Sequence, residues 1–358
     1  MGLLRLFLAL SVIAWHTSST VLTFRGVGGD LAVPYFFIIS GFYMAMVLNE
    51  KYKDTNPITF YLSRILRLYP TYMIGAILII CISYEEISKL LATLSGIQQI
   101  IYVFTNTFLI GLDISRYLVD PPAWSLASEL SFYLVAPFIL KSQRKTLLFF
   151  LYGCLYLYVI SKLTYPLSPS LEFFASAKIN TFNYYFYPSS IFCFSLGAFA
   201  YNASKHGNPY QYFITAPIAI GLVAFDFVPQ LLFAASLPLL FHYTKYNKFD
   251  RFIGELSYPA YILHWAFWMM IKPYTESNPK YFSIISFGTW VALASCFLGL
   301  FIYFALEKWV NKYRESNDFI NSKSSNNRHL IFYKWILLSV YFLFPLVVLA
   351  YISQYQLT

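Results

Sequence analysis

Charge is scarce in this chain. Of 358 residues, 11% are Asp, Glu, Lys or Arg, where a soluble domain carries about a quarter. No polar stretch is long enough to form a separate soluble domain. Cysteine is scarcer: Cys81, Cys154, Cys193 and Cys296 all lie in apolar segments, with no CxxC and no Cys/His cluster. That argues against a metal site and for buried free thiols. No basic block interleaved with aromatics is present, so there is no nucleic-acid surface. No repeat of solenoid period and no clear inverted repeat is found. The first apolar run lacks an A-x-A cleavage site and is followed by many others, so it reads as a retained span. "MGLLRL" lacks the Ser/Thr that myristoylation wants.

What is abundant is apolar surface. The chain is 58% hydrophobic, with a mean hydropathy of +0.57, and reads as an integral membrane protein. A span needs about 20 largely apolar residues. Twelve segments qualify: 4–23, 31–49, 66–84, 93–112, 123–140, 146–163, 184–201, 211–227, 229–244, 253–271, 281–305 and 331–353.

The balance of 25 Lys+Arg against 16 Asp+Glu gives +9. In a membrane protein this reflects cytoplasmic loops. Lys51, Lys53, Arg64 and Arg67, then Lys141, Arg144 and Lys145, then Lys205, then Lys245, Lys248 and Arg251 want the inside. So do Lys308, Lys312, Arg314, Lys323 and Arg328. All these loops agree once one segment between 85 and 140 does not span. The weakest is 93–112, with Gln98, Gln99, Thr105, Asn106 and Thr107. It is read as re-entrant or interfacial, leaving eleven spans and a cytoplasmic N-terminus. Residues 54–67 read as the start of an interfacial helix, capped by Asp54 or Asn56 with Pro57 in its first turn. Residues 164–183 are long enough for an outer lid, and 315–330 form a polar cytoplasmic linker.

Ionisable groups inside apolar segments are costly and usually face a cavity or a partner. In "RLFLALSVIAWH", eleven residues separate Arg5 from His16, about 16 Å and three helical turns, so both leave one face of the helix. In "SRILRLYP", Arg64 and Arg67 at i, i+3 can clamp a phosphate in the fork geometry that suits guanidinium groups. Any phosphorylated ligand there comes from the cytosol. In "PPAWSLASELSFYLVAPF", Glu129 lies inside an apolar span and calls for a cationic partner or a raised pKa; His16 or an arginine is a candidate. "IGELSYPAYILHW" brings Glu255, Tyr258, Tyr261 and, mid-membrane, His264. Glu307 in "FALEKW" caps its span or pairs with Lys308. Each of these has a plainer reading: snorkelling, the positive-inside rule, or inter-helix hydrogen bonding. Buried His, Arg and Glu in a multi-span protein mark proton-coupled transporters among other membrane proteins, although the repeat symmetry expected there is absent; a purely structural scaffold leaves the buried charges unexplained.

In this order the set resembles the membrane-bound acyltransferase-3 family, whose best-known members O-acetylate bacterial surface sugars. Arg5-x10-His16, "FFIISGFYM" with Ser40, Arg64-x-x-Arg67, "WSLASELSFY" with Trp124, Ser125 and Glu129, and "LSYPAYILHW" with Tyr258 and His264 carry the likeness over about 300 residues. The GVD that many members have before the FF motif is replaced by "VPYFF". Asp30 lies earlier, and no role is carried onto it. The resemblance implies an all-α polytopic membrane protein with a ten-helix core at 1–314. The linker follows at 315–330, and an added C-terminal span occupies 331–358. It implies acetyl-CoA as donor, held by Arg5, Arg64 and Arg67, and no metal. His16 is implied as general base, with Glu129 orienting it or stabilising its charge. The acceptor is a hydroxyl of a surface or lipid-linked glycan, approaching from outside a bacterial inner membrane. A covalent route through His16, Ser40 or Ser125 is the rival.

Overall fold

The computed structural model describes residues 1–113, 115, 117–162, 184–206, 227–277, 279–316, 338 and 341–343. The expected lid at 164–183 lies wholly outside them, and the span at 211–227, the linker at 315–330 and the last span lie almost wholly outside them.

The described residues are helical, with no strand among them. The helices are α1 (Gly2–His16), α2 (Gly29–Asn49), α3 (Pro57–Ile82), α4 (Tyr84–Thr93) and α5 (Gly96–Phe108). After a 3-10 turn at Pro121–Ala123 come α6 (Trp124–Ile139), α7 (Gln143–Lys162), α8 (Tyr187–His206), α9 (Val228–Thr244) and α10 (Lys248–Ser277). Short α11 (Pro279–Ile284) leads to α12 (Phe287–Ile302), a π-helical turn at Tyr303–Glu307 and α13 (Lys308–Glu315). Three of these helices are long and apolar enough to cross a membrane: α2, α3 and the continuous run Phe287–Glu315. The molecule is a multi-pass helical membrane protein.

Local chemistry explains several boundaries. Asn56 caps α3, its side chain accepting from the Ile58 amide at 3.0 Å, with Pro57 at the first position. The interfacial start and the span expected to follow it are one helix of 26 residues, because Pro70 is carried inside without a break. Arg64 and Arg67 therefore belong to the spanning helix itself. Ser95 and Gln98 form a reciprocal capping box at α5. α5 has 13 residues, about 20 Å of helix, against the ~30 Å hydrocarbon core of a bilayer. Ile97, Ile100, Val103, Phe104 and Phe108 on it are exposed.

α2 packs most extensively against α8, α1 against α10, and α10 also against α3 and α12. The α2–α8 contact needs glycine on both sides. A Cβ at Gly41 would lie 1.9 Å from the carbonyl oxygen of Phe194, and one at Gly197 would lie 1.9 Å from that of Ile38. Around this seam Phe37, Phe42, Phe132 and Phe194 build the aromatic core, with Phe132 and Phe194 stacked at 4.1 Å.

α1 is tethered at its start. Asp250, in the first turn of α10, accepts from the backbone amides of Gly2 at 2.7 Å and Leu3 at 2.9 Å, and pairs with the Met1 amine at 2.5 Å. Burial opposes ionisation of this carboxyl, but those N–H donors outweigh it and hold it below its ordinary value. Of the four cysteines, Cys154 and Cys193 are buried, whereas Cys81 is exposed; the expectation that all four are buried is corrected there. Cys81 sits on a face of α3 that also exposes Ile77 and Ile80.

The seam is testable. Gly41→Ala and Gly197→Ala each drive a methyl group into a backbone carbonyl, and overpacking of this kind costs about 1–3 kcal/mol. Both variants are expected to unfold at lower temperature in detergent. Gly96→Ala, where a Cβ meets open space, is expected to leave the midpoint unchanged or slightly higher.

Candidate active site

A cavity of about 440 Å³ opens between α1, α2, α3, α6, α9, α10 and α13. Of the sequence-derived candidates, Arg5, Ser40, Arg64, Arg67, Ser125, Glu129 and Tyr258 line it. His16, Trp124 and His264 do not.

One end of the cavity is cationic. Arg64 is 6% exposed. Its guanidinium lies over the Phe60 ring at 5.5 Å, and Nη2 donates to Ser63 Oγ at 3.3 Å. Its Nε has no hydrogen-bond partner. Arg67 follows one turn later on α3, as the spacing requires. Arg5 reaches in from α1, over the Tyr43 ring at 5.8 Å, with its Nε also unpartnered. A Cβ at Gly254 would lie 2.3 Å from Arg5 Nη2, so the glycine leaves room for this side chain. Arg314 comes from α13. It is 7% exposed, and both Nε and Nη1 lack partners. Among the described residues none of these four guanidinium groups forms an ion pair. Carboxylates are present at longer range, with Glu255 and Glu129 acting electrostatically on Arg67.

Glu129 lies within electrostatic reach of Arg64 and Arg67. Its Oε1 accepts from Ser40 Oγ at 2.5 Å and from the Tyr133 hydroxyl one helical turn further along α6. Ser125 Oγ lies 2.9 Å from the Tyr261 hydroxyl and donates to the Pro122 carbonyl at 3.0 Å. The Tyr258 hydroxyl donates to the Leu68 carbonyl at 2.6 Å, tying α10 to α3 next to Arg67. Trp124 packs outside the cavity against Phe37, Tyr184 and Tyr185.

Beyond Tyr261 lies a histidine pair. His16 Nδ1 is 2.7 Å from His264 Nε2, and the two rings stack at 5.0 Å with an 11° interplanar angle. The edge of Trp265 closes on His16 at 5.5 Å. The hydrogen bonds determine the tautomers. His264 Nδ1 faces the Tyr261 carbonyl, which only accepts, so Nδ1 carries the proton. In a neutral ring His264 Nε2 is then an acceptor, and His16 Nδ1–H donates to it. The lone pair of His16 is left on Nε2, the arrangement a general base needs. His16 is half-buried, while His264 is fully buried.

Two expectations are corrected. Glu129 does not pair with His16 or with an arginine: its partners are Ser40 and Tyr133, because α6 presents it to α2 while His16 faces α10. His264, on the helix that α1 packs against, orients His16 instead. Glu307 accepts from the Thr71 hydroxyl and makes no ion pair with Lys308 among the described residues. Three groups of the site were not singled out from sequence. Tyr133 had a signal, its i+4 spacing from Glu129. Arg314 was counted only as a loop charge. Asp250 had no signal, since its partners are backbone amides 248 residues away.

The chain resembles known proteins along this length. The family model described as an acyltransferase domain, acyltransferase-3, matches residues 1–307. "Putative O-acetyltransferase SACOL0978" of Staphylococcus aureus (strain COL) is 30% identical over 153 residues, 40% of this chain and 25% of that protein. O-acetyltransferase OatA of Staphylococcus aureus (strain NCTC 8325 / PS 47) is 29% identical over 147 residues, 38% of this chain and 24% of that protein. The matched region is thus about a quarter of the length of these relatives. No solved structure matches. With the family match running from the α1 tether through the π-helical turn, and with Arg5, Arg64, Arg67, Glu129 and the histidine pair inside it, the chain belongs to the acyltransferase-3 family.

Proposed function

We propose that this protein is an integral membrane O-acyltransferase. It moves an acetyl or other short acyl group from cytosolic acyl-CoA to a hydroxyl of a cell-surface or lipid-linked glycan. The observation that carries this reading is the pairing of two features. A cavity is lined by guanidinium groups that form no direct ion pair among the described residues, and a histidine pair beyond it leaves Nε2 of His16 free to accept a proton. The names of the staphylococcal relatives support O-acetyl transfer in particular.

In this reading Arg64, Arg67 and Arg5 bind the donor phosphates, which fork-shaped guanidinium groups suit. The pantetheine arm carries the thioester past Ser125 and Tyr261 toward His16. His16 Nε2 takes the proton of the acceptor hydroxyl as its oxygen forms a bond to the thioester carbonyl carbon. The carbon–sulfur bond then breaks, and the leaving thiolate takes up a proton. His264 holds the tautomer, the positioning role a buried carboxylate has in a Ser-His-Asp triad. Glu129, bonded to Ser40 and Tyr133, orients groups on the donor side. The basic loops favour a cytoplasmic N-terminus, eleven spans and a bacterial inner membrane, so that donor and acceptor meet from opposite sides.

The test is acetyl-CoA binding and turnover by purified protein in nanodiscs. Wild type is expected to bind and turn over the donor. Arg64→Ala/Arg67→Ala is expected to bind it at least about 100-fold more weakly, two charge-assisted hydrogen bonds being lost. His16→Ala is expected to bind normally but to turn over at least about 100-fold more slowly. Wild type that neither binds nor turns over acetyl-CoA would sink the reading.

His264→Ala gives a second check. With the acceptor for His16 Nδ1–H removed, kcat is expected to fall by about tenfold or more, with acetyl-CoA affinity unchanged. A fall in donor affinity instead would place His264 in the donor site.

A further inference from the structure

The strongest observation that the family match leaves unassigned is Arg314. It lies beyond residue 307, where that match ends. In sequence it belongs to a basic cytoplasmic segment, and a solvated charge would be expected there. It is instead 7% exposed, lines the same cavity as Arg64 and Arg67, and has two guanidinium nitrogens without partners among the described residues. The π-helical turn at Tyr303–Glu307 immediately precedes α13. A widened turn rotates all that follows relative to a regular helix, and α13 packs against α3 near the two arginines. Arg67 and Arg64 are close enough to repel Arg314. Three like charges gathered with no direct ion pair among the described residues, and with Glu255 acting on Arg67 and Arg314 only at longer range, repel one another and become favourable around a polyanion.

From this we infer that Arg314 is the third arm of an arginine cradle for a donor carrying more than one phosphate group, and that it binds phosphate at the nucleotide end. Two arginines one turn apart on a single helix serve one phosphate or diphosphate group. A third from a different element addresses a second anionic group, present in CoA and missing from a simple phosphopantetheine thioester. The inference rests on the acyl-CoA reading above and gives it a specificity: the enzyme selects nucleotide-linked donors over donors with a single phosphate.

The experiment compares binding of CoA and of free phosphopantetheine to wild type, Arg314→Gln, Arg314→Lys and Arg64→Ala/Arg67→Ala in nanodiscs, with unfolding temperatures measured without ligand. Arg314→Gln is expected to weaken CoA binding by about tenfold or more, the worth of one charge-assisted hydrogen bond, and to leave phosphopantetheine binding unchanged. Arg314→Lys should restore part of the CoA affinity. The unfolding temperature of Arg314→Gln should equal or exceed that of wild type, because an unpaired buried charge has been removed. Unchanged CoA affinity in Arg314→Gln overturns the inference while leaving the acyl-CoA reading intact. So does an equal loss for both ligands with a lowered unfolding temperature, which marks a structural arginine. Wild type binding neither ligand overturns both.

Discussion

The organisation of this molecule depends on keeping cationic side chains in the interior without a direct ion pair among the described residues, carboxylates acting on them only at longer range. Removing a guanidinium group from water without pairing it costs several kcal/mol. The chain accepts that cost at Arg5, Arg64 and Arg314, each with a buried Nε, and at Arg314 also Nη1, that has no hydrogen-bond partner among the described residues. Two of them are approached by softer neighbours: Phe60 and Met44 beside Arg64, and Tyr43 beneath Arg5. Aromatic faces offset some of the lost hydration without neutralising the charge. On the proposed reading the cavity is poised for an anion, and the energy released when one arrives is available for binding.

Holding that arrangement falls to a few close approaches of backbone. Gly41 and Gly197 let α2 and α8 meet with almost no space between them. That contact fixes Ser40, the neighbour of Gly41, against Glu129. At the other side Asp250 gathers the first amides of α1, which places Arg5 at the cavity and His16 three turns away against α10. α10 carries both kinds of contact. Its Tyr258 reaches the backbone of α3 beside Arg67, and its His264 holds the imidazole of His16.

Tyr261 is where the two halves meet. Its side chain faces the cavity and Ser125, and its carbonyl fixes the tautomer of His264. A group arriving along the cavity meets the Tyr261 hydroxyl before the histidine pair. The orientation of the His16 imidazole is therefore tied to backbone at Tyr261, whose side chain also lines the cavity.

Much of this was legible in the sequence for definite physical reasons. Burying an arginine or histidine in an apolar segment is expensive enough that Arg5, His16, Arg64, Arg67, Glu129 and His264 stood out individually. The i, i+3 spacing put Arg64 and Arg67 together because helix geometry alone does so. The cap at Asn56 followed from residue type. Pairings between helices were not legible. Glu129 looked equally suited to His16, and only the packing of α6 on α2 gives it Ser40 and Tyr133. Arg314 looked like a solvated loop charge until the packing of α13 on α3 enclosed it. The sequence by itself determined which groups cannot be satisfied by lipid, since that depends on each residue and its immediate neighbours. Tertiary structure decided which of those groups satisfy one another and which stay unpaired for a ligand, since that depends on contacts between residues up to about 250 positions apart.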